Sequence, residues 1–206
     1  LDREHIRVGN EEYARANKSF GATTLRNRHV RQADGKLRMR FPGKGGTVHE
    51  VTVTDRNLKR VVRRAQELPG QMLFQYVNGD GNPQAITSGD VNDYIRDATG
   101  GDFTAKHFRT WGASVIFFKQ MLAKAEEKRL SLKTALEPVA EALGNTPAIS
   151  RKSYVHPALV ELLQEEPRDP LRGFIPPPPR KRLSSAEAAL LAFLRRLKPR
   201  KRRAAA

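Results

Sequence analysis

The chain has 206 residues, 38% of them hydrophobic and 29% charged, which suits one domain of ordinary size with a small core and a tail. It contains no cysteine, which excludes disulfides, thiol chemistry and cysteine-based zinc sites, and its five histidines (5, 29, 49, 107 and 156) show no ligand spacing. No window approaches the roughly 18 uncharged apolar residues of a membrane span, no signal peptide is visible, and the net charge of +16 points to a polyanionic partner.

In chain order, Ile6-Arg7-Val8-Gly9-Asn10 reads as a short apolar start and a turn, with Arg7 just before the turn and a helical run after it. From His29 to Thr54 the pattern is that of strands. Asp34-Gly35 is a hairpin signal, flanked by His29–Gln32 and by alternating Leu37, Met39 and Phe41. Pro42-Gly43-Lys44-Gly45-Gly46 is a second turn, followed by Val48, Val51 and Val53. The expectation is a three-stranded antiparallel sheet with Lys44 at the tip of its second hairpin. Asp55 caps a helix reaching Glu67, with Leu58, Val61, Val62 and Ala65 on one face, and Pro69-Gly70 ends it. Residues 78 to 89 read as a loop; its Asn78, Asp80 and Asn82 resemble a calcium loop, but Pro83 replaces the required Gly and Gly89 the bidentate Glu. Ser88 opens a helix through Ala98, closed by Gly100-Gly101. Thr104 to Ala123 is the longest apolar helix, its Phe108, Trp111, Val115, Ile116, Phe118 and Leu122 forming the expected core, with Arg109 inside it. Helices at 131–143 and 157–165 follow.

From Glu166 to Leu183, prolines at 176 to 179 make a stiff extended linker. Ser184 and Glu187 form a capping box for an amphipathic helix with Leu190, Leu191, Leu194 and Leu197 on one face, ending in Lys198-Pro199-Arg200-Lys201-Arg202-Arg203. Residues 180 to 206 carry ten Lys/Arg and one Glu, or +9, leaving +7 on the rest. A solvated tail, docking on the body, and DNA or partner binding all fit that segment; a nuclear-localisation signal fits it less well. A body that is also basic favours nucleic acid. The expected organisation is residues 1–165 as the main domain, 166–183 as the linker and 184–206 as helix and tail. The start at Leu1, inside an apparent functional loop, fits a fragment that lacks an upstream portion.

Leu143 to Tyr154 is the segment with the most chemical content. Thr146-Pro147 reads as an N-cap and first helical position, and the eight residues to Tyr154 rise about 12 Å. Asn145 and the Tyr154 hydroxyl are then within reach of one group lying between them. Tyrosine, with a pKa near 10, is a poor nucleophile unless cations lie beside it and the leaving group is protonated as it departs. On a phosphodiester, arginines suit the non-bridging oxygens because their planar forks stay charged, whereas lysine can lose a proton and act as general acid. Taken singly, Arg7 and Arg109 read as surface or salt-bridge arginines, Lys44 as a hairpin-tip lysine, Asn145 as a helix-terminus residue and Tyr154 as packing. Gly-Lys-Gly-Gly is not a Walker motif, since Arg38 stands where its first glycine would be. Composition and spacing thus stop at a basic, mainly helical, nucleic-acid-binding chain.

Taken together, Ile-Arg-Val-Gly-Asn-Glu-Glu-Tyr, Phe-Gly-Ala-Thr-Thr-Leu-Arg-Asn-Arg-His-Val, Arg-Phe-Pro-Gly-Lys-Gly-Gly, Leu-Pro-Gly-Gln-Met-Leu-Phe-Gln-Tyr, Ser-Gly-Asp-Val-Asn-Asp-Tyr, Phe-Thr-Ala-Lys-His-Phe-Arg-Thr-Trp and the Asn145–Tyr154 box strongly resemble the catalytic domain of bacterial type IB DNA topoisomerases, relatives of the poxvirus enzyme, over about residues 3 to 160. The resemblance implies an α+β, mainly α-helical fold of the type IB topoisomerase and tyrosine recombinase kind with a small three-stranded antiparallel sheet. It implies relaxation of supercoiled double-stranded DNA without ATP, cofactor or essential metal, by a monomer in the bacterial cytoplasm at the nucleoid. Tyr154 would form a 3′-phosphotyrosyl bond, Arg7 and Arg109 would hold the scissile phosphate, with Arg7 also available to help proton transfer, Lys44 would protonate the 5′-hydroxyl, and Asn145 stands where poxvirus and recombinase relatives carry His. The family's amino-terminal domain is expected in the full-length protein. Two alternatives are a non-catalytic DNA-binding remnant and a tyrosine recombinase; the second usually has His-x-x-Arg where this chain has Lys106-His107-Phe108-Arg109.

Overall fold

Asp34 and Gly35 both adopt left-handed conformations (φ 51° and 68°), the backbone of a two-residue turn whose twist matches that of the strands it joins. In this computed structural model, which describes residues 1–123, 130–164, 171, 173–178 and 180–197, that turn joins β1 (Val30–Ala33) to β2 (Lys36–Pro42). A second turn leads to β3 (Val48–Val53), giving an antiparallel sheet of order β1-β2-β3. Leu37, Met39 and Phe41 are buried while Lys36, Arg38 and Arg40 face solvent, the period of two expected of a half-buried strand. The register sets Leu37 opposite Val53, Met39 opposite Val51 and Phe41 opposite His49.

The described chain forms two compact units. The first comprises Leu1–Thr110 with Ala142–Gly144, the second Trp111–Glu141 and the residues from Asn145 onward. In the first, Ile6, Phe20, Leu25, Val30, Val62 and Leu73 complete the core over the sheet. Helix α1 (Glu11–Asn17) is capped by Asn10, whose Oδ1 accepts from the Tyr13 amide at 2.8 Å. Helix α2 (Arg56–Glu67) starts at Asp55, which accepts from the Leu58 amide at 2.9 Å. Its buried seam is narrower than the expected four-residue face. Val62 and Ala65 are buried, but Leu58, within a turn of the helix start, and Val61, on the flank of the seam, are 42% and 51% exposed.

The expected loop at 78–89 contains structure of its own. Gln75–Val77 (β4) pairs with Pro83–Ala85 (β5), and the connecting Asn78 Oδ1 accepts from the amides of Asp80 and Asn82. The asparagine spacing that resembles a calcium loop is used to close a turn. Helix α3 (Ser88–Thr99) opens on a reciprocal Thr87–Asp90 capping box and closes on left-handed Gly100.

Helix α4 (Ala105–Ala123) runs from the first unit into the second. Its buried positions are Ala105, Arg109, Gly112, Ala113, Ser114, Val115, Phe117, Phe118 and Met121; Phe108, Trp111, Ile116 and Leu122, expected in the core, are only half-buried. With side chains on several faces covered, the bulkiest residues do not define a single inward stripe. The second unit adds α5 (Leu132–Leu143) up to Glu141, α6 (Pro147–Ser153), α7 (Pro157–Gln164) and α8 (Ser185–Arg196). Helix α8 opens on the Ser184–Glu187 box and buries Ala188, Ala189, Leu190 and Phe193. The expected Leu191, Leu194 and Leu197 are half-buried, because Phe193 sets the facing side by packing against Phe118 and Phe174, at 4.9 and 5.3 Å between centroids. Trp111 Nε1 donates to Glu187 Oε1 at 2.9 Å. The basic run from Lys198 lies outside the described residues.

Candidate active site

Arg7 is positioned by its backbone. Its carbonyl accepts from the Ala22 amide at 2.9 Å, and the Val8 carbonyl accepts from both the amide and the hydroxyl of Thr23, at 2.7 and 2.9 Å. The two strips of chain meet at glycines. A Cβ on Gly21 would lie 2.6 Å from the Arg7 carbonyl oxygen and from the Gly9 nitrogen, and Gly9 itself is at φ +106°. The Ile-Arg-Val-Gly and Phe-Gly-Ala-Thr-Thr segments are therefore two halves of one clamp.

Lys44 is exposed on the turn between β2 and β3, where Gly45 and Gly46 take φ of 76° and 79°. The turn is closed by the Gly43 amide donating to the Thr47 carbonyl at 2.7 Å. The Lys44 ammonium lies 5.6 Å from the centroid of the Tyr13 ring, within cation–π range.

Arg109 is 3% exposed. A buried guanidinium is costly unless its donors are satisfied. Here Nη2 donates to the Leu143 carbonyl at 2.9 Å and Nη1 to the His5 carbonyl. Leu143 is the last residue of α5, so the cation also sits at the favourable end of a helix dipole.

Sequence reasoning missed His49. Its ring stacks on Phe41 (centroids 5.2 Å apart, planes 20° apart). A Cβ on Gly43 would lie 2.5 Å from the imidazole, and one on Gly144 would lie 3.2 Å from it. The ring therefore touches both the lysine-bearing turn and the segment that anchors Arg109. Burial, and then the Arg109 and Arg7 cations, push its pKa below the ordinary histidine value. His5 is lowered likewise, by burial first and Arg109 second. The signal was present: the period of two set by Val51 and Val53 puts His49 on the inward side of β3.

Helix α5 ends in a Schellman arrangement, with Gly144 left-handed and the Asn145 amide donating to the Ala140 carbonyl at 2.9 Å. Thr146 caps α6, accepting from the Ile149 amide, and Pro147 opens it. Tyr154 stands at the C-cap of α6, its amide donating to the Ser150 carbonyl at 3.1 Å. The following residue pair is tied down by the His156 amide, which donates to Ser114 Oγ of α4 at 3.0 Å. Tyr154 is 9% exposed.

Thus the first unit holds Arg7, Lys44 and Arg109, with His49 in the field of the two arginines, and the second holds Asn145 and Tyr154. Among the described residues no group of His, Asp and Glu side chains is arranged to hold a metal ion. Fixed guanidinium and ammonium groups are suited to oxyanions, and a helix-end tyrosine to nucleophilic attack.

A mainly helical chain with a small three-stranded antiparallel sheet and these side chains agrees with a topoisomerase catalytic core. A family profile described as the catalytic core of eukaryotic DNA topoisomerase I matches residues 1–169, and the chain belongs to that family. It is 34% identical over 175 residues to DNA topoisomerase 1B of Acanthamoeba polyphaga mimivirus, covering 79% of this chain and 52% of the viral protein. It is 24% identical over 171 residues to DNA topoisomerase 1B of vaccinia virus (strain Copenhagen), covering 78% and 50%, and 23% identical over 172 residues to DNA topoisomerase 1 of rabbit fibroma virus, again covering 78% and 50%. The chain spans about half the length of the curated relatives it matches.

Proposed function

We propose that this chain carries the chemistry of a type IB topoisomerase: relaxation of supercoiled DNA by transient cleavage and religation of one strand. Tyr154 Oη, giving up its proton to solvent, attacks the scissile phosphorus, the P–O5′ bond breaks, and a 3′-phosphotyrosyl bond forms. The Arg7 and Arg109 guanidiniums hold the non-bridging oxygens as charge builds on them, and Asn145 donates one uncharged hydrogen bond. Lys44 gives its proton to the departing 5′-oxygen. In religation the 5′-hydroxyl returns that proton and displaces the tyrosine, so the phosphodiester energy is kept in the covalent bond and no nucleotide is consumed.

The observation that supports this reading best is the placement of Arg109, buried and held by two main-chain carbonyls in the same unit as Arg7 and Lys44. A cation fixed at both ends of its fork is pre-organised for an oxyanion and pays little reorganisation at the moment of reaction. The same reading makes the protein a monomer on duplex DNA, completed by an amino-terminal domain and acting at a bacterial nucleoid. The test is covalent trapping on a nicked duplex, without ATP or metal, beside Tyr154→Phe. A 3′-linked adduct in the parent alone is the expected result. DNA binding without any adduct would leave a non-catalytic binding remnant, and an adduct in Tyr154→Phe would mean another nucleophile.

A further inference from the structure

The turn that carries Lys44 has little packing of its own. Lys44 to Val48 are exposed, and nothing lies within 4 Å of the Cβ position of Gly45 or Gly46. The Gly43 amide donates to the Thr47 carbonyl at 2.7 Å and the Gly46 amide to the Gly43 carbonyl at 3.1 Å. Those bonds fix the shape of the turn but not where it stands on the body. The Tyr13 ring meets the far end of the lysine, not the turn. What seats the turn is the His49 ring. It stacks on Phe41, its cross-strand neighbour, and sets its Nε2–Cδ2 edge against Gly43 and its Cε1 against Gly144, all within the first unit. Gly43 has extended backbone open to any residue, so its lack of a side chain answers to the imidazole and not to the turn. Gly144 directly follows Leu143, whose carbonyl holds Arg109.

We infer that His49 is a positioning residue, a wedge that sets the Lys44 turn at a fixed distance from the segment anchoring Arg109. It thereby places the proposed general acid relative to the proposed phosphate ligand. The inference rests on the proposed DNA chemistry of the chain. Arg109 is already held by two main-chain carbonyls. Lys44 has no such anchor, and an ammonium on a flexible four-carbon stem reaches its target only if the backbone beneath it is placed. A proton donor must come within about 3 Å of the atom it protonates, so a turn that swings by an ångström loses the transfer. Burial and the Arg109 and Arg7 cations both favour the neutral imidazole, the form suited to packing between two glycines.

The test is a double-variant cycle on the single-turnover rate of adduct formation by the full chain. Gly43→Ala brings a methyl to 2.5 Å from the imidazole, and His49→Ala removes the ring. Each disturbs the same contact and slows adduct formation about 10- to 10²-fold, the cost of misplacing a reacting group by about 1 Å. The double variant is no slower than the slower single, because the clash needs the ring, whereas independent sites would multiply. A strand whose leaving atom is a 5′-thiolate, which needs no proton, brings each variant back close to the parental rate. General weakening of the fold would not give that recovery. Multiplying effects, or equal slowing on both strands, overturns the inference; if His49→Ala does not fold, Gly43→Ala alone carries the comparison of strands. Hydrogen exchange at the Gly43 amide reads the turn without chemistry. Faster exchange in either variant at parental global stability supports the wedge, and unchanged exchange overturns it. A parent that exchanges as expected but forms no adduct refutes the catalytic reading alone.

Discussion

Gly21→Ala is the perturbation whose effect the structure sets most directly. The added methyl would stand 2.6 Å from the Arg7 oxygen and the Gly9 nitrogen and 2.7 Å from Gly9 Cα, all of them backbone atoms. Ordinary contact begins at 3.4 Å, so the two strips must separate by about 0.8 Å. The Ala22-to-Arg7 hydrogen bond, now 2.9 Å, then opens to about 3.7 Å and is lost. Overpacking of this kind costs about 1–3 kcal/mol. The larger effect falls on chemistry, since Arg7 moves with its backbone and misplacing a phosphate ligand by nearly 1 Å costs up to about 10²-fold. The assay is the single-turnover rate of adduct formation with enzyme in excess, alongside urea unfolding. Gly35→Ala is the control: nothing lies within 4 Å of its Cβ, and its φ of +68° brings only conformational strain of about 1–2 kcal/mol, with no loss of rate. A folded Gly21→Ala chain that forms adduct at the parental rate would refute the clamp's role in placing Arg7.

Lys44→Ala should slow adduct formation by about 10²–10⁴-fold on an ordinary strand and far less on one whose leaving atom is a thiolate, which needs no proton; equal slowing on both would remove Lys44 from proton transfer. Because His5 and His49 have folded pKa values below the ordinary one, the folded state binds fewer protons than the unfolded state. Stability should therefore fall as pH drops below about 6.5 and passes through their lower folded values, and His49→Gln should lose less between pH 7.5 and pH 5 in urea titrations than the parent; parallel losses would count against it. Burial alone would raise the Glu187 carboxyl, but hydrogen bonds from Ser184 and Trp111 outweigh it and hold its pKa below the ordinary glutamate value. The stability it lends α8 is present above about pH 4.3 and is lost as pH falls through the lower folded value. Glu187→Ala should cost about 1–2 kcal/mol and shift the fluorescence of the single tryptophan, whereas an unchanged spectrum would mean that Trp111 does not depend on this bond.

Local rules went far in this chain. Asp34-Gly35, the Leu37-Met39-Phe41 alternation and the Ser184–Glu187 box each form what short-range geometry dictates, and the turn bearing Lys44 and the helix ending at Tyr154 stand where their punctuation puts them. Tertiary contacts were less visible. Nothing near Gly21 in sequence announces that it meets the backbone of residues 7 to 9, and Arg109 gives no local sign that its partners are carbonyls at positions 5 and 143. His49 carries a weak signal, since a single polar residue in a strand fits either face, although the phase of Val51 and Val53 puts it inward. Residues 78 to 89 read as a loop, yet Pro83 pairs with Val77 in a short two-stranded ladder, which tolerates a proline at its edge. Val61 and Leu58 show that an apolar helix position is necessary for burial but not sufficient.

The anchoring of Arg109 also bears on when the protein becomes able to act. One of its carbonyl partners lies 104 residues upstream and the other 34 residues downstream. A nascent chain leaving the ribosome cannot fix this cation until Leu143 has been made and has folded back, and Tyr154 follows only 11 residues later. The proposed phosphate-holding cation and the proposed nucleophile thus come into being almost together, late in synthesis. Incomplete chains that already carry Arg7 and Lys44 are left without either, so the proposed strand-breaking chemistry is withheld until the residues proposed to reseal the strand have been built.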